Sequence, residues 1–411
     1  MNKIIVLPGT ADATFFINEV NYITKYFDEV VVISYPGNEE VFSNLAKEKG
    51  FRYYVVKANI LKALISFGIF KWLFDKNTRK EIKSVFSISK LGLSKIIYIL
   101  HYGLFYINAK RYIDREISRN LNDNVYMYSF WLTRGAYAIA NYNVTRKSNL
   151  KKIVSRAHGY DLYEERNLTR YLPFRDFIDI NLDEIHFISG HGLNYFTQRY
   201  ISTTLSSIKN ISRLGTYNPY EKRKKIIEKD KVCIASCSSI IPVKRLDLII
   251  DIIANIDLPV TWIHIGTGSQ KSEIETYAAE KLKGKEYNFL GHIDNSEILR
   301  TYERYDVDFF INTSDSEGVP VSIMEAISMG IPVIARNVGG NSEIVEANTG
   351  YLINNIDNMK NVYNQVNTII KQRLDNNLDK YSIRSQRSIS LWKLQYDADK
   401  NYDLFFSKMK E

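Results

Sequence analysis

The sequence predicts an α/β protein built from two doubly wound parallel sheets, on three observations. Short apolar runs recur along the chain, and each ends in a polar or glycine-bearing loop. Segments of helical periodicity separate these runs, giving the strand, helix, strand order of parallel sheets. One polar, basic stretch at Gly215–Asp230, GTYNPYEKRKKIIEKD, interrupts the alternation, which then starts afresh. With 411 residues, 45% hydrophobic and 25% charged, the chain has the apolar mass for two or three domains. The same balance excludes collagen-like, disulfide-scaffold and disordered chains.

Taken in order, Lys3–Leu7 reads as the first strand, because MNKIIVLPG holds one Lys and too short an apolar run for an export signal. The loop PGTADA, a helix over Phe15–Tyr26 and a strand at Glu29–Ser34 complete a βαβ unit. Leu61–Asn120 is mostly helical by periodicity, and strands return at Val125–Ser129, Lys152–Arg156 and Glu184–Ser189. Beyond the basic stretch come strand Val232–Ser236, helix Leu246–Ile253, strand Val260–Ile265, helix Ser272–Lys281 and strand Asn288–Leu290. Helix Asn295–Tyr305, strand Asp308–Thr313, helix Val319–Met329 and strand Pro332–Ala335 follow. The expected division is therefore a first domain over 1–215, a linker over 216–230, a second domain over 231–390, and a terminal helix, 391–411, crossing back to the first domain.

The two cysteines lie in KVCIASCS; on a strand, Cys233 and Cys237 share a face and read as buried structural thiols, which suits a reducing cytoplasm. No apolar run approaches the roughly 18 to 20 residues that span a bilayer. The longest, ALISFGIF at Ala63–Phe70, is flanked by Lys62 and Lys71, so the chain is not expected to cross a membrane. Net charge is +9, and it is local: Phe51–Leu150 holds 17 Lys and Arg against 5 Asp and Glu, interleaved with Phe67, Phe70, Trp72, Phe74, Phe86, Tyr98, Tyr102, Phe105 and Tyr106. Basic residues among aromatics suit an anionic membrane surface, hence a peripheral position at the inner face of the cytoplasmic membrane; the alternative is a core-packing helical segment whose outer face is simply solvated. Nucleic acid is set aside because no known binding motif accompanies the charge.

The chemistry concentrates in TSDSEGVPVSIME, Thr313–Glu325. Gly318 permits close backbone approach, Pro320 suits a first helical turn, and the free amides there form an anion site. Glu317 precedes this start and Glu325 lies a little over two turns on, so hydrogen-bond acceptors flank the anion. A phosphate with hydroxyl-rich groups on both sides, as in a nucleoside diphosphate sugar, has that layout. GTGSQK, Gly266–Lys271, follows a strand and is read as a nucleotide-side wall through Gly266 and Gly268. Asp306 and Asp308 fall on one face at a strand start, which makes them structural carboxylates, and the six His show no metal-ligand spacing.

EGVPVSIMEAISMGIPVIARNVGGNSEIV, Glu317–Val345, resembles the carboxyl-terminal domain of family 4 retaining glycosyltransferases, with its Glu, seven residues, Glu motif, Gly-Pro strand and Gly-Gly turn. RAHGYD at Arg156–Asp161, RLG at Arg213–Gly215, SSIIPVKRLD at Ser238–Asp247, HIGTG at His264–Gly268 and FLG at Phe289–Gly291 extend the similarity over most of the chain. ATFFINE, Ala13–Glu19, is similar to members that build bacterial surface polysaccharides.

The resemblance implies the GT-B fold, two Rossmann-like domains facing a central cleft, and a hexosyltransferase acting on a nucleotide sugar, UDP-sugar favoured, with a glycan or lipid-linked acceptor. By it, His158, Lys244 and Glu317 are catalytic: Glu317 holds donor hexose hydroxyls, Lys244 neutralises the departing diphosphate, and His158 faces the reacting sugar. Gly9, Ser239, Arg245, Gly266, Gly268, Gly318, Val319, Pro320, Val321 and Glu325 are assigned to the donor, Glu325 on ribose hydroxyls, and Asp161 to the acceptor. No cofactor and no metal are expected. The chain departs from the family pattern at Ser239, where an Arg is usual five residues before the Lys, leaving Arg245 or another base to replace it. LPGTADA also offers one glycine, Gly9, where paired glycines are usual. A GT-B sugar-nucleotide epimerase, or a protein that binds a glycan or partner without catalysis, are the alternatives. Neither base, sugar, acceptor nor oligomeric state can be read from the residues.

Overall fold

The computed structural model describes residues 1–9, 13–57, 68–86, 92–144, 149–200, 207–220, 227–354, 356–375 and 378–411. They form two compact units, Met1–Ser212 with Tyr402–Glu411, and Arg213–Asn401. The described part of 216–230 thus groups with the second unit, whereas the last ten residues group with the first. Most of PGTADA, most of ALISFGIF with Phe67, the Phe86 side chain and 221–226 of the basic stretch lie outside the described residues.

The first unit holds β1 (Asn2–Leu7), β2 (Glu29–Ser34), β3 (Arg52–Val55), β4 (Asn124–Ser129), β5 (Leu150–Ala157), β6 (Glu184–Phe187) and β7 (Ile208–Ile211). Every pairing is parallel and the order is β3-β2-β1-β4-β5-β6-β7. A parallel strand covered on both faces must be apolar along its whole length, which is why IIVL, VVVI and VYMY read as unbroken runs. The edge strands were illegible for the converse reason. RYYV and IKNI are only partly buried and carry charged or polar residues, so neither shows such a run. Helix Glu39–Lys49 was likewise hidden, because it buries only Phe42 and Leu45.

Helices Gly68–Phe74, Lys76–Phe86 and Gly92–Arg119 occupy the described part of the basic region. Ile99, Tyr102, Phe105, Ala109, Ile113 and Ile117 of the long helix bury into one core of the sheet. Phe405, Phe406 and Met409 of the last helix, Ala398–Lys410, bury into the other with Val20, Ile23 and Tyr128. Beneath them Arg156 and Glu19, both 0% exposed, form an ion pair, and Tyr128 Oη donates to Glu19 at 3.1 Å.

The second unit holds β8 (Val232–Cys237), β9 (Val260–Ile265), β10 (Glu286–Gly291), β11 (Phe309–Asn312), β12 (Val333–Arg336) and β13 (Gly350–Ile353), all parallel, in the order β10-β9-β8-β11-β12-β13. The strand order reverses between β1 and β4 in the first sheet and between β8 and β11 in the second. Ligand crevices of such sheets open at those points, beyond the carboxyl ends of the strands. No helix among the described residues is long and apolar enough to cross a membrane.

Asp306 and Asp308 both precede the strand, which begins at Phe309, and both pair with Lys229; Asp306 takes a left-handed turn at φ 47°. Asp308 is fully buried, receives the Cys233 amide at 3.0 Å and pairs with Lys229 at 2.8 Å and Arg373 at 3.2 Å. Removing one partner of such a buried cluster strands the other charge in a dry interior. Asp308→Ala is expected to cost about 3–5 kcal/mol, read as a fall in the urea midpoint, with Asp308→Asn less damaging.

Candidate functional site

At the reversal point of the second sheet the loop after β8 meets the loop after β11. Asp315 N donates to Val243 O at 2.8 Å, and Thr313 Oγ1 donates to Arg245 O at 2.8 Å. These bonds bring Lys244 to Glu317: Nζ donates to Oε1 at 2.6 Å, and Asn312 Nδ2 reaches the same oxygen at 3.3 Å. Glu317 is 6% exposed, whereas the Lys244 side chain keeps 23% of its surface. A largely buried carboxylate thus holds a cation that remains open to solvent.

The loop after β12 supports this pair from behind. Gly340 N donates to Glu317 O at 3.3 Å, and a Cβ on Gly339 or Gly340 would come within 1.9 Å of Glu317 O or 1.8 Å of Gly318 O. Only glycine allows backbone to pack on backbone so closely, and Gly339 also sits at φ 53°. Gly266 and Gly268 act similarly one loop away: a Cβ there would meet Ser238 O at 1.9 Å or Ile240 O at 2.3 Å. They dock the β9 loop on the β8 loop, leaving Ser239 exposed between.

The helix after Glu317 starts later than the sequence suggests. It spans Val321–Ser328, with Pro320 as its cap at φ −67°, ψ 128°. A residue before proline is pushed out of the helical region, so Val319 cannot begin the helix, and Glu325 falls in its second turn. Ile323 and Met324 amides donate to Pro320 O, at 3.1 and 3.2 Å; among the described residues no group accepts from the Val321 and Ser322 amides. They are the open, positive end of the helix. Gly318, Val319 and Pro320 are buried. Glu325 is 6% exposed, and burial alone pushes its carboxyl up to about 8. Burial and the nearby Glu325 carboxylate raise the Cys237 thiol to about 12, and both cysteines are free thiols.

Arg245 does not supply the missing basic partner. Its guanidinium bonds Asp247 at 2.9 Å and Asp315 at 3.2 Å, so its charge is already matched. Arg336, at the end of β12, also pairs with Asp315 and donates to Thr313 O at 3.2 Å. Asp315, Arg336, Asn312 and the pair Gly339–Gly340 are site-building residues that the sequence reading did not assign. The two glycines directly after a strand were the available signal.

His158, Asp161 and Gly9 belong to the first unit, at the carboxyl ends of its strands. Asp161, assigned to the acceptor, is fully buried and its oxygens are taken by backbone. Oδ1 receives the amides of His158 at 2.9 Å and Gly159 at 2.8 Å, and Oδ2 that of Leu132 at 2.9 Å. It shapes the His158 loop and has no face left for a ligand. His158, 6% exposed, stacks on Phe130 at 4.5 Å and packs on Trp131 at 4.4 Å. Burial lowers its pKa against the opposing pull of the Asp161 carboxylate, which stands 3.6 Å from Nδ1. Gly9, at φ 84°, lies where a Cβ would press within 2.6 Å of the Trp131 ring. Among the described residues no group of three or more His, Cys, Asp or Glu could hold a metal ion.

Residues 219–386 match the family model described as "Glycosyl transferases group 1". The UDP-N-acetylglucosamine–peptide N-acetylglucosaminyltransferase GtfA subunit of Streptococcus agalactiae is 29% identical over 137 residues, 32% of this chain and 26% of that protein. The O-antigen biosynthesis glycosyltransferase WbnH of Escherichia coli is 32% identical over 114 residues, 28% of this chain and 31% of that protein. The chain therefore aligns with about a third or less of these relatives' length. Anabaena Alr3699/HepE, crystallised in complex with UDP, superposes at a TM-score of 0.67 with 13% identity, over 100% of this chain and 99% of that one. The fold is GT-B, and the likeness to group 1 glycosyl transferases lies over residues 219–386.

Proposed function

We propose that this protein is a retaining hexosyltransferase that moves a sugar from a UDP-sugar to a glycan or lipid-linked acceptor in bacterial surface polysaccharide synthesis. The observation that carries this reading is the Lys244–Glu317 pair at the strand-order reversal, beside the open amides of Val321 and Ser322. The likeness to group 1 glycosyl transferases supports it, as do relatives whose names carry UDP-N-acetylglucosamine and O-antigen biosynthesis.

In this mechanism the diphosphate lies against the Val321 and Ser322 amides. Lys244 exchanges its bond to Glu317 for a phosphate oxygen, and Glu317, released, accepts from hexose hydroxyls. As the C1 to oxygen bond lengthens, negative charge grows on the diphosphate where fixed amides and an ammonium already stand, so stabilisation needs little reorganisation. Glu325 takes the ribose hydroxyls. The acceptor attacks the face that the leaving group vacates, with a diphosphate oxygen receiving its proton, so no protein nucleophile is used. His158 is neutral near pH 7, since burial lowers its pKa, so its proposed part in the reaction is that of an uncharged hydrogen-bonding group.

UDP is expected to raise the melting temperature with or without EDTA. Lys244→Ala should weaken the effect about tenfold or more in UDP concentration, in line with a lost charge-assisted contact. Glu317→Gln should leave UDP binding nearly intact but cut transfer at least 100-fold. Sugar-nucleotide turnover without an acceptor would favour the epimerase, and a metal-dependent shift would overturn the role of Lys244.

Glu325 makes a pH prediction. Its folded pKa, about 8, stands above its ordinary value of 4.5. Between these values the unfolded chain has lost the proton and the folded one keeps it, so stability falls as pH rises through that window. Glu325→Gln should flatten this part of the melting profile, and an unchanged slope would refute the assignment.

The described helices of the basic region expose Phe74 to 71% and Leu93 to 74%, with Phe70 and Ile97 about half exposed, among Lys71, Lys76, Lys80, Lys83 and Lys95. This surface is proposed to rest on anionic lipid at the inner face of the cytoplasmic membrane. Phosphatidylglycerol vesicles should pull the protein down in sedimentation and phosphatidylcholine vesicles should not. Phe74→Ser with Leu93→Ser, or 0.5 M salt, should release it.

A further inference from the structure

His264 is a buried titratable side chain that the mechanism above does not use, and its hydrogen bonds run in one direction. It lies one residue from the end of β9, opposite Ser236 of β8, and is 0% exposed. Trp262 Nε1 donates to Ser236 Oγ at 3.0 Å, and Ser236 Oγ lies 2.9 Å from His264 Nδ1. An indole N–H can only donate, so the Ser236 oxygen accepts there and its own proton goes to Nδ1. Burial holds the His264 pKa down at about 4, so the ring is neutral at pH 7 and carries its single proton on Nε2.

The far side of the ring requires the same tautomer. Nε2 faces the backbone carbonyl of Ser238. A Cβ on Gly266 would stand 1.9 Å from that carbonyl oxygen and 3.3 Å from Nε2, so ring, carbonyl and glycine backbone close on one another. A bare nitrogen there would set lone pair against lone pair, whereas an N–H donates to the oxygen.

This carbonyl opens the loop that carries Lys244. Ser238 N donates to Ile265 O at 3.0 Å and Ile240 N to Thr267 O at 3.0 Å, which ties both ends of the Ser238–Ile240 turn to the β9 loop. Ser239 is exposed between them. The peptide bond is trans, and across a trans peptide the C=O and the next N–H point opposite ways. A Ser238 carbonyl turned in toward His264 therefore turns the Ser239 N–H outward, at the carboxyl end of β8.

We infer that His264 is a positioning residue of the donor site, which through the Ser238 carbonyl aims the Ser239 amide at the diphosphate and so makes a backbone group into an anion contact beside Lys244. The inference rests on the donor reading and adds to it a neutral phosphate contact, held in place by the buried chain Trp262, Ser236, His264.

The test measures melting shifts with UDP, inorganic pyrophosphate and uridine on wild type, His264→Phe and His264→Gln. Phe keeps the ring and removes both nitrogens. The Gln side-chain nitrogen stands as many bonds from the backbone as Nε2 and can donate to the same carbonyl. His264→Phe is expected to need about tenfold more UDP, and about tenfold more pyrophosphate, for the same shift, as for one lost charge-assisted hydrogen bond. Uridine, which lacks the phosphates, should act alike on both proteins, and His264→Gln should recover most of the difference. A packing role alone would lower the melting temperature without ligand and leave the pyrophosphate response unchanged. That result, or no recovery in His264→Gln, overturns the inference. Should His264→Phe fail to fold, Ser236→Ala, which removes the hydroxyl that orients the ring, gives the same comparison. Wild type that binds pyrophosphate but not UDP sinks the donor reading, and the pyrophosphate comparison still decides the role of His264. Wild type that binds neither overturns both.

Discussion

The donor half of the site depends on one steric constraint, the packing of the Gly339–Gly340 backbone on the backbone of Glu317 and Gly318. A methyl group at either glycine would fall inside van der Waals contact with a carbonyl oxygen by more than an ångström. The contact settles where Glu317 stands, and Glu317 settles where Lys244 stands. A side-chain change at Glu317 alters chemistry; a change at the glycines moves the platform that carries it.

Charge around this platform is partitioned by burial and pairing. Three basic residues approach the loop after β11, and two of them, Arg245 and Arg336, share Asp315. Among the described residues the Lys244 ammonium is bound to Glu317 alone, so under the proposed function it is the one a diphosphate recruits by exchange. With Ser239 uncharged, Lys244 and the helix amides are the chief positive elements of the proposed donor side. Glu325, with its proton held by a dry environment, contributes no opposing charge at neutral pH.

The first unit uses the opposite arrangement. Asp161 spends its carboxylate on three backbone amides, which hold the His158 loop, and so keeps negative charge away from the surface. His158 is clamped between the Phe130 and Trp131 rings, with Nδ1 facing the Asp161 carboxylate at 3.6 Å.

Much of this architecture was legible in the residues because parallel strands buried on both faces must be written in apolar runs, and nine of the thirteen strands carry them. Four escaped notice or were blurred. RYYV and IKNI lie at sheet edges, where polar residues are tolerated, and GYLI closes the second sheet as a half-buried edge strand. Strand β10, EYNFLG, is largely half-exposed and shows only its apolar centre. The Glu317 to Glu325 segment announced itself by composition, since glycine, proline and carboxylates at those spacings have few other uses.

Sequence by itself determined the fold class and the reversal-point loops, because strand periodicity and loop chemistry are local properties. Tertiary structure alone decided that Asp161 is internal, that Arg245 pairs with Asp247 and Asp315, and that Arg336 joins Asp315. Each of those depends on which side chains meet across loops far apart in the chain, and solvent access and charge pairing exist only once they have met.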